Sequence, residues 1–404
     1  MNRREFLEMM AVAVAAGPTG GHQDAGSEWG SPVFDLHFHL RPQPAANLAH
    51  LDGAGVAKAN LLTRGNAHEQ VKALDVAAPG RFIWFSSYDV AQPDAAQLLT
   101  QAIKNGAQGF GEMKFHLAAD GPELRRAYAL AADLHVPILV HFQEVDHFPN
   151  EGTWSTGFAK TFESILKAYP RTTFIGHADA FWANVSEDYH NESAYPSGPI
   201  KRGGVTDRLL GDYPNLFGDL SANSGNNAMA RDAAFTADFL KRHQDKLLFG
   251  SDCGCTDGHG SGNSQANNPT ASRMAGKCVA RETLTLLKRS ASPEVFKKIT
   301  WSNAHTLLKI PVKSRLRSAL AGRHTIMTAF SSVPMPEMVI RTASCASSVN
   351  ESGGTTPAPV SRTAPFGNVW DRKRYSTSSA NGRLIWPARV SPANTVSAPR
   401  RISS

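Results

Sequence analysis

From Phe34 to Ile310 the chain alternates short apolar, β-branched or aromatic runs with amphipathic helical stretches, and that alternation limits the architectures open to it. Eight runs read as strands: Val33–His39, Ala57–Thr63, Phe82–Asp89, Gly109–His116, Pro137–Phe142, Thr173–Ala178, Leu216–Ser221 and Leu247–Cys253. Between them, Leu124, Ala127, Tyr128, Ala131 and Leu134 follow helical spacing, as do Phe158, Phe162, Ile165, Leu166 and Tyr169. Lys104-Asn105-Gly106, Tyr169-Pro170 and Tyr213-Pro214 supply helix stops before the next strand. Eight such units in 277 residues fit an α/β chain folded as a (β/α)8 TIM barrel, an architecture of about 250 residues. A doubly wound open sheet also alternates in this way, but no Gly-x-Gly-x-x-Gly follows the first strand.

A barrel places its chemistry at the C-terminal ends of its strands, so polar residues should gather there. They do: strand one ends in His37 and His39, strand two in Arg64, strand four in Glu112, Lys114 and His116, strand five in His141, strand six in His177 and strand eight in Asp252. His37 and His39, at i and i+2, leave the same face of a strand with Cα atoms roughly 6.5–7 Å apart, so both rings can turn onto one ion. Imidazole is the commonest neutral metal ligand. Alone, a His-x-His pair is as well explained by an ordinary half-buried strand. Four histidines and an aspartate at equivalent ends of four strands are much harder to reach by accident.

This set resembles the amidohydrolase superfamily, in particular the amidohydrolase-related branch that also holds metal-dependent decarboxylases. The resemblance rests on His-x-His at strand one, single histidines at strands five and six and Asp252 within Gly250-Ser251-Asp252, and it runs from Phe34 to about Ile310. It implies that His37, His39 and His141 bind a divalent ion, with Asp252 completing the set. Three imidazoles and a carboxylate suit Zn²⁺ and leave a position for water whose pKa falls to about 7. Asp252 would orient that water and accept its proton, and His177 would act as general acid/base or bind a second ion. One ion is the expectation from the related branch; a second, held through Glu112 or Lys114, stays open, as does a plain Glu112–Lys114 ion pair.

The implied activity is hydrolysis of a C–N or C–O bond in a small substrate by metal-activated water. Non-oxidative decarboxylation on the same barrel is the alternative, and an exported binding protein without catalysis is a third reading. Arg64 is the first choice to anchor a substrate anion, and Lys114 is a second; Lys201, Arg202 and Arg231, on polar loops, are weaker candidates. His116, His147, His190 and His259 are candidates for supporting positions only. The segments Ala180–Trp182 and Tyr195–Gly204 suit a mobile flap, and Ser221–Asn227 and Asp257–Gly260 read as loops.

Outside the barrel the character changes. Residues Met1–Gly17 have a charged start, a short apolar run and small residues, which read as a signal peptide too short to span a membrane. Arg3-Arg4-Glu5-Phe6-Leu7 resembles the twin-arginine export signal, though Asn2 and Glu8 depart from it; the implication is a protein that engages the export machinery folded and works in the periplasm. Residues 18–32 read as a flexible linker and 33–313 as the barrel. Residues 314–404 hold 12 Lys+Arg against 3 Asp+Glu, with 16 Ser and 8 Pro, and read as a disordered basic tail. The remainder carries 30 Lys+Arg against 32 Asp+Glu, so the overall +7 belongs to the tail and the body presents no nucleic-acid footprint. No segment reads as a stable membrane insertion. Of the four cysteines, Cys253-Gly-Cys255 is a weak zinc signal without a second pair, and small buried side chains are the expected role.

Overall fold

The computed structural model describes residues 28–147, 151–152, 154–263 and 272–310. The signal-peptide segment Met1–Gly17 and the tail 314–404 lie outside the described residues. Eight parallel strands follow one another around the sheet in chain order: β1 (Phe34–His39), β2 (Lys58–Arg64), β3 (Phe82–Ser87), β4 (Phe110–Met113), β5 (Ile138–His141), β6 (Phe174–His177), β7 (Leu216–Asp219) and β8 (Leu247–Leu248). Backbone bonds from Leu36 N to Phe249 O (2.9 Å) and from Asp252 N to His37 O (2.7 Å) join the two ends of the sheet. The fold is a (β/α)8 barrel.

Two apolar layers hold it. Phe34, Leu36, Leu62, Ile83, Phe85, Leu139, Ile175 and Leu248 fill the barrel interior, and Trp301, Leu307 and Ile310 of the closing helical segment pack against them. The outer layer joins the other faces of the strands to the helices; in Pro122–Asp133 the buried positions include Leu124, Ala127, Tyr128 and Ala131, and in Phe158–Ala168 they are Phe158, Phe162, Ile165 and Leu166. These are the positions that helical spacing selects. Each of the Leu, Ile and Phe side chains among them is worth roughly 1.5–3 kcal/mol when fully buried.

Strict alternation along β1 would place Phe38 with Phe34 and Leu36 inside the barrel. Instead, the pairing with β2 slips between Asp35 and Phe38, Phe38 joins the outer layer, and His37 and His39 come to the mouth. The same happens in β4, where the register with β5 shifts between Phe110 and Met113 and Glu112 turns inward between two outer-layer residues. Irregularities of this kind re-aim a side chain at the end of a strand. Gly111 makes the second one feasible: its φ is +138°, and a Cβ there would stand 2.9 Å from the Cβ of Leu139.

Several sequence expectations are corrected. β8 stops at Leu248 because the chain bends through Gly250, where a Cβ would lie 2.4 Å from Asp219 Oδ1 and 2.6 Å from His37 Cβ. Ala180, Phe181 and Trp182 are not a flap: they form a short buried helix, Asp179–Ala183, whose aromatic rings fill the outer layer. Residues Ala222–Ala230, expected as loop, are helical. Glu28 and Trp29, placed in the flexible lead-in, are seated on the barrel: Trp29 is buried and its Nε1 donates to Ala54 O (3.0 Å), while Glu28 pairs with Arg281 (3.1 Å). Among the described residues no helix is long and apolar enough to cross a membrane.

Candidate metal centre

Six side chains from five strand ends meet at the barrel mouth: His37 and His39 from β1, Glu112 from β4, His141 from β5, His177 from β6 and Asp252 from the bend after β8. They fall into overlapping groups of potential ligands, namely His37, His39 and Glu112; His37, His177 and Asp252; and Glu112, His141 and His177. Glu112 is shared between the two sides. Its Oε2 lies 3.5 Å from His39 Nε2, and its Oε1 lies 2.7 Å from His141 Nδ1 and 3.6 Å from His177 Nε2. Asp252 reaches the first side, with Oδ1 at 3.3 Å from His39 Nε2 and 3.8 Å from His37 Nε2, and its Oδ2 is 4.0 Å from His177 Nε2. Asp252 itself sits at φ +46°, a left-handed conformation that Asp and Asn tolerate better than most residues.

Hydrogen bonds behind the rings decide which nitrogen faces the mouth. His37 Nδ1 donates to Asp219 Oδ2 (2.7 Å), because a carboxylate only accepts. Ser221 Oγ gives its single proton to the same Oδ2 (2.8 Å) and therefore accepts from His177 Nδ1 (2.7 Å). Gln143 Nε2 donates to Val145 O (3.0 Å) and Glu151 Oε2 (3.0 Å), which turns its Oε1 to accept from His141 Nε2 (2.9 Å). With these protons assigned, a neutral His37 or His177 presents a bare Nε2 and a neutral His141 a bare Nδ1. Ligand imidazoles are oriented in this way by the bond their other nitrogen makes.

The residues present fit a divalent cation on their own evidence. His37 Nε2 is buried with no hydrogen-bond partner among the described residues. His141 Nδ1 and Glu112 Oε1, 2.7 Å apart, need a proton or a cation between them. Burial would lower the His39 pKa, but bonds to Asp252 and Glu112 raise it to about 10, so the carboxylates favour positive charge there. Burial would raise the Glu112 pKa, but the surrounding histidines, His141 foremost, hold it well below the usual carboxylate range. Burial and the neighbouring His37 push His177 down, towards the neutral imidazole that a ligand must be.

The structure therefore brings together His37, His39, His141, His177 and Asp252, as the sequence suggested, with Glu112 at the centre rather than beside them. Among the described residues Glu112 has no ion pair with Lys114, because its oxygens face imidazoles. Lys114 is half-buried one residue past β4, and Arg64 is exposed at the end of β2. Lys201 and Arg202 are surface partners of Glu187 (2.9 Å) and Asp238 (2.7 Å), not anion anchors at the mouth. Arg231 is half-buried, and its Nε and Nη2 meet no hydrogen-bond partner among the described residues. His147 bonds to Asp179 (3.0 Å), His116 stacks on Trp154 (3.9 Å between centroids), and His190 and His259 are exposed. Sequence reading missed Asp219, Ser221 and Gln143; the signal was present in Asp219 and Ser221 at the end of strand seven and in Gln143 two residues after His141. It also missed Trp154, whose ring centroid lies 5.5 Å from that of His141 and whose buried indole nitrogen has no hydrogen-bond partner among the described residues.

No family model and no curated protein matches the chain. Solved structures similar to it include a dihydroorotase from Campylobacter jejuni (18% identity, TM-score 0.42, covering 70% of this chain and 84% of that one). Others are a 2,6-dihydroxybenzoate decarboxylase from Rhizobium (15%, TM-score 0.41, 69% and 98%) and a TatD homolog, YJJV, from Escherichia coli (15%, TM-score 0.42, 69% and 98%). Likeness at this level transfers neither reaction nor ligands, and the functional reading below stands on the side chains at the mouth.

Proposed function

We propose that this chain is a metal-dependent hydrolase that cleaves a C–N or C–O bond of a small substrate at the mouth of the barrel. The observation that carries the reading is Glu112, buried between two sets of imidazoles whose free nitrogens converge on its two oxygens. His37 and His39, with Asp252, would hold one divalent ion, and His141 and His177 a second, with Glu112 shared; Zn²⁺ suits this mixture of nitrogen and carboxylate donors. When bound, such a pair supplies Lewis acidity and a nucleophilic water of lowered pKa. The sequence alone favoured one ion. The shared position of Glu112 favours two.

The protein's own groups do the rest. Asp252 is the carboxylate of the group with solvent access to a reacting molecule, its side chain 30% exposed beside the 44% exposed His39, while Glu112, His141 and His177 are buried. Burial would raise its pKa, but His37 and His39 hold it below the ordinary carboxylate range, so its carboxylate is ionised and ready to take the water proton. It would return that proton to the leaving nitrogen or oxygen. His177, with Nδ1 engaged by Ser221, is held as a ligand rather than as a free proton carrier. Trp154 offers an apolar wall and an indole donor beside His141, and Arg64, Lys114 and Arg231 are the cations available to anchor a substrate anion.

A panel of lactones, amides and aromatic acids, turned over by metal-loaded protein with carbon dioxide monitored, tests this. Expected is hydrolysis of a lactone or amide that a chelator abolishes and added divalent ion restores, with no carbon dioxide released. Carbon dioxide evolution from an aromatic acid would assign the barrel to decarboxylation instead. Absence of turnover across the panel would favour the binding reading.

A further inference from the structure

On the other side of the β1/β8 seam lies a second set of metal-ligating side chains that the hydrolytic reading does not use. His50 comes from the helix Pro44–Ala54 that follows β1, Cys253 and Cys255 from the bend after β8, and Cys278 from the residue that precedes the helix Val279–Ser290. One donor atom from each lies within 4.8 Å of all the others, and all four residues are buried. We infer that His50, Cys253, Cys255 and Cys278 form a structural Cys3His zinc site that ties the last unit of the barrel to the first. The inference does not rest on the reading of the barrel mouth.

The spacings are close to those of a tetrahedral site, with the Cys253–Cys255 pair drawn nearer. Zinc–sulfur bonds of about 2.3 Å and zinc–nitrogen bonds of about 2.0–2.1 Å at tetrahedral angles put sulfurs roughly 3.8 Å apart, and sulfur and nitrogen roughly 3.6 Å apart. Cys253 Sγ is 3.3 Å from Cys255 Sγ and 3.9 Å from Cys278 Sγ, and His50 Nδ1 is 3.4 Å from Cys255 Sγ. All three cysteines are free thiols. A disulfide would need sulfurs about 2.05 Å apart, well inside the 3.3 Å seen for the nearest pair.

The surroundings suit thiolates. Val279 N donates to Cys253 Sγ (3.3 Å), a bond that an anionic sulfur accepts best. Three thiolates, a neutral imidazole and Zn²⁺ leave one negative charge, and the Arg41 guanidinium stands beside it, donating to Cys253 O (2.7 Å) and Gly254 O (3.2 Å). The His50 ring packs against Phe38 (5.0 Å between centroids) and its Nδ1 donates to the Cys255 carbonyl (3.0 Å), which leaves the lone pair on the buried Nε2, an atom with no hydrogen-bond partner among the described residues. Tetrahedral sulfur-rich sites select Zn²⁺ over harder cations. Cys253-Gly254-Cys255 is a weak motif in sequence because its partners lie 205 positions before and 23 positions after Cys255, in different units of the barrel. Since Cys253 directly follows Asp252, the site would also fix the bend that carries the proposed proton acceptor.

Cobalt loading tests the assignment, because the imidazole and carboxylate centre at the mouth cannot give thiolate-to-cobalt charge transfer. Full-length protein, reduced and stripped, is titrated with Co²⁺ and then with Zn²⁺. Expected is a near-ultraviolet charge-transfer band that saturates at one ion per chain, is displaced by Zn²⁺, survives in His39→Ala and is lost in Cys255→Ser. Should Cys255→Ser not fold, thiol alkylation of the wild type decides: Zn²⁺ should protect Cys253, Cys255 and Cys278, and a chelator should expose them. A folded, reduced wild type without the band, equal labelling with and without Zn²⁺, or a Cys253–Cys255 disulfide found on peptide mapping would overturn the inference.

Discussion

Glu112→Gln is expected to lower kcat/KM by at least about 10³-fold and to reduce the divalent ion held at the barrel mouth. The substitution keeps the shape of a side chain that is 6% exposed but removes the charge that three imidazoles face. A neutral amide cannot bridge two cations, and its nitrogen would turn a proton towards His39 or towards the His141 and His177 side, where a lone pair is needed. Both ion positions are therefore weakened by one change. Steady-state kinetics with metal analysis of the same sample gives the answer. Wild-type activity with full metal would remove Glu112 from the centre and return it to a structural ion pair.

Asp252→Asn should separate chemistry from binding. Asn tolerates the left-handed backbone at φ +46° nearly as well as Asp, so the bend and its bond from residue 252 N to His37 O (2.7 Å) should persist. What is lost is the proton acceptor and one anionic ligand. We expect kcat to fall by about 10²–10⁴-fold, the range for removing a general base, while most of the metal stays on the histidines and Glu112. Replacing His37 should do the reverse, emptying its side of the site because Asp219 would then orient nothing. If Asp252→Asn lost its metal but regained the wild-type rate when the metal was resupplied in excess, Asp252 would be a ligand only, and the proton would have to go elsewhere.

The barrel was legible in the sequence because eight apolar runs separated by amphipathic stretches with stop signals leave few other folds. Four histidines and an aspartate stood out for a related reason, each closing an apolar run. What sequence could not supply was direction. The slips in β1 and β4 that bring His37, His39 and Glu112 to the mouth break the alternation that pattern reading relies on, and no residue type announces them. Asp219, Ser221 and Gln143 stayed hidden because their roles are set by which ring nitrogen they touch. The phenyl and indole rings of Phe181 and Trp182 read as part of a mobile flap because their run is too short for helical periodicity, yet they are fully buried. Cys278 and His50 could be joined to Cys253 and Cys255 only once the barrel had closed.

The central claim is that Glu112 is shared by two metal positions. Anomalous diffraction from crystals of zinc-loaded protein, recorded on both sides of the zinc edge, tests it most directly. The account predicts two peaks at the barrel mouth about 3.5–4 Å apart, one on His37 and His39, the other on His141 and His177, with the Glu112 carboxylate between them. A single peak, or none within ligand reach of these residues, would contradict it.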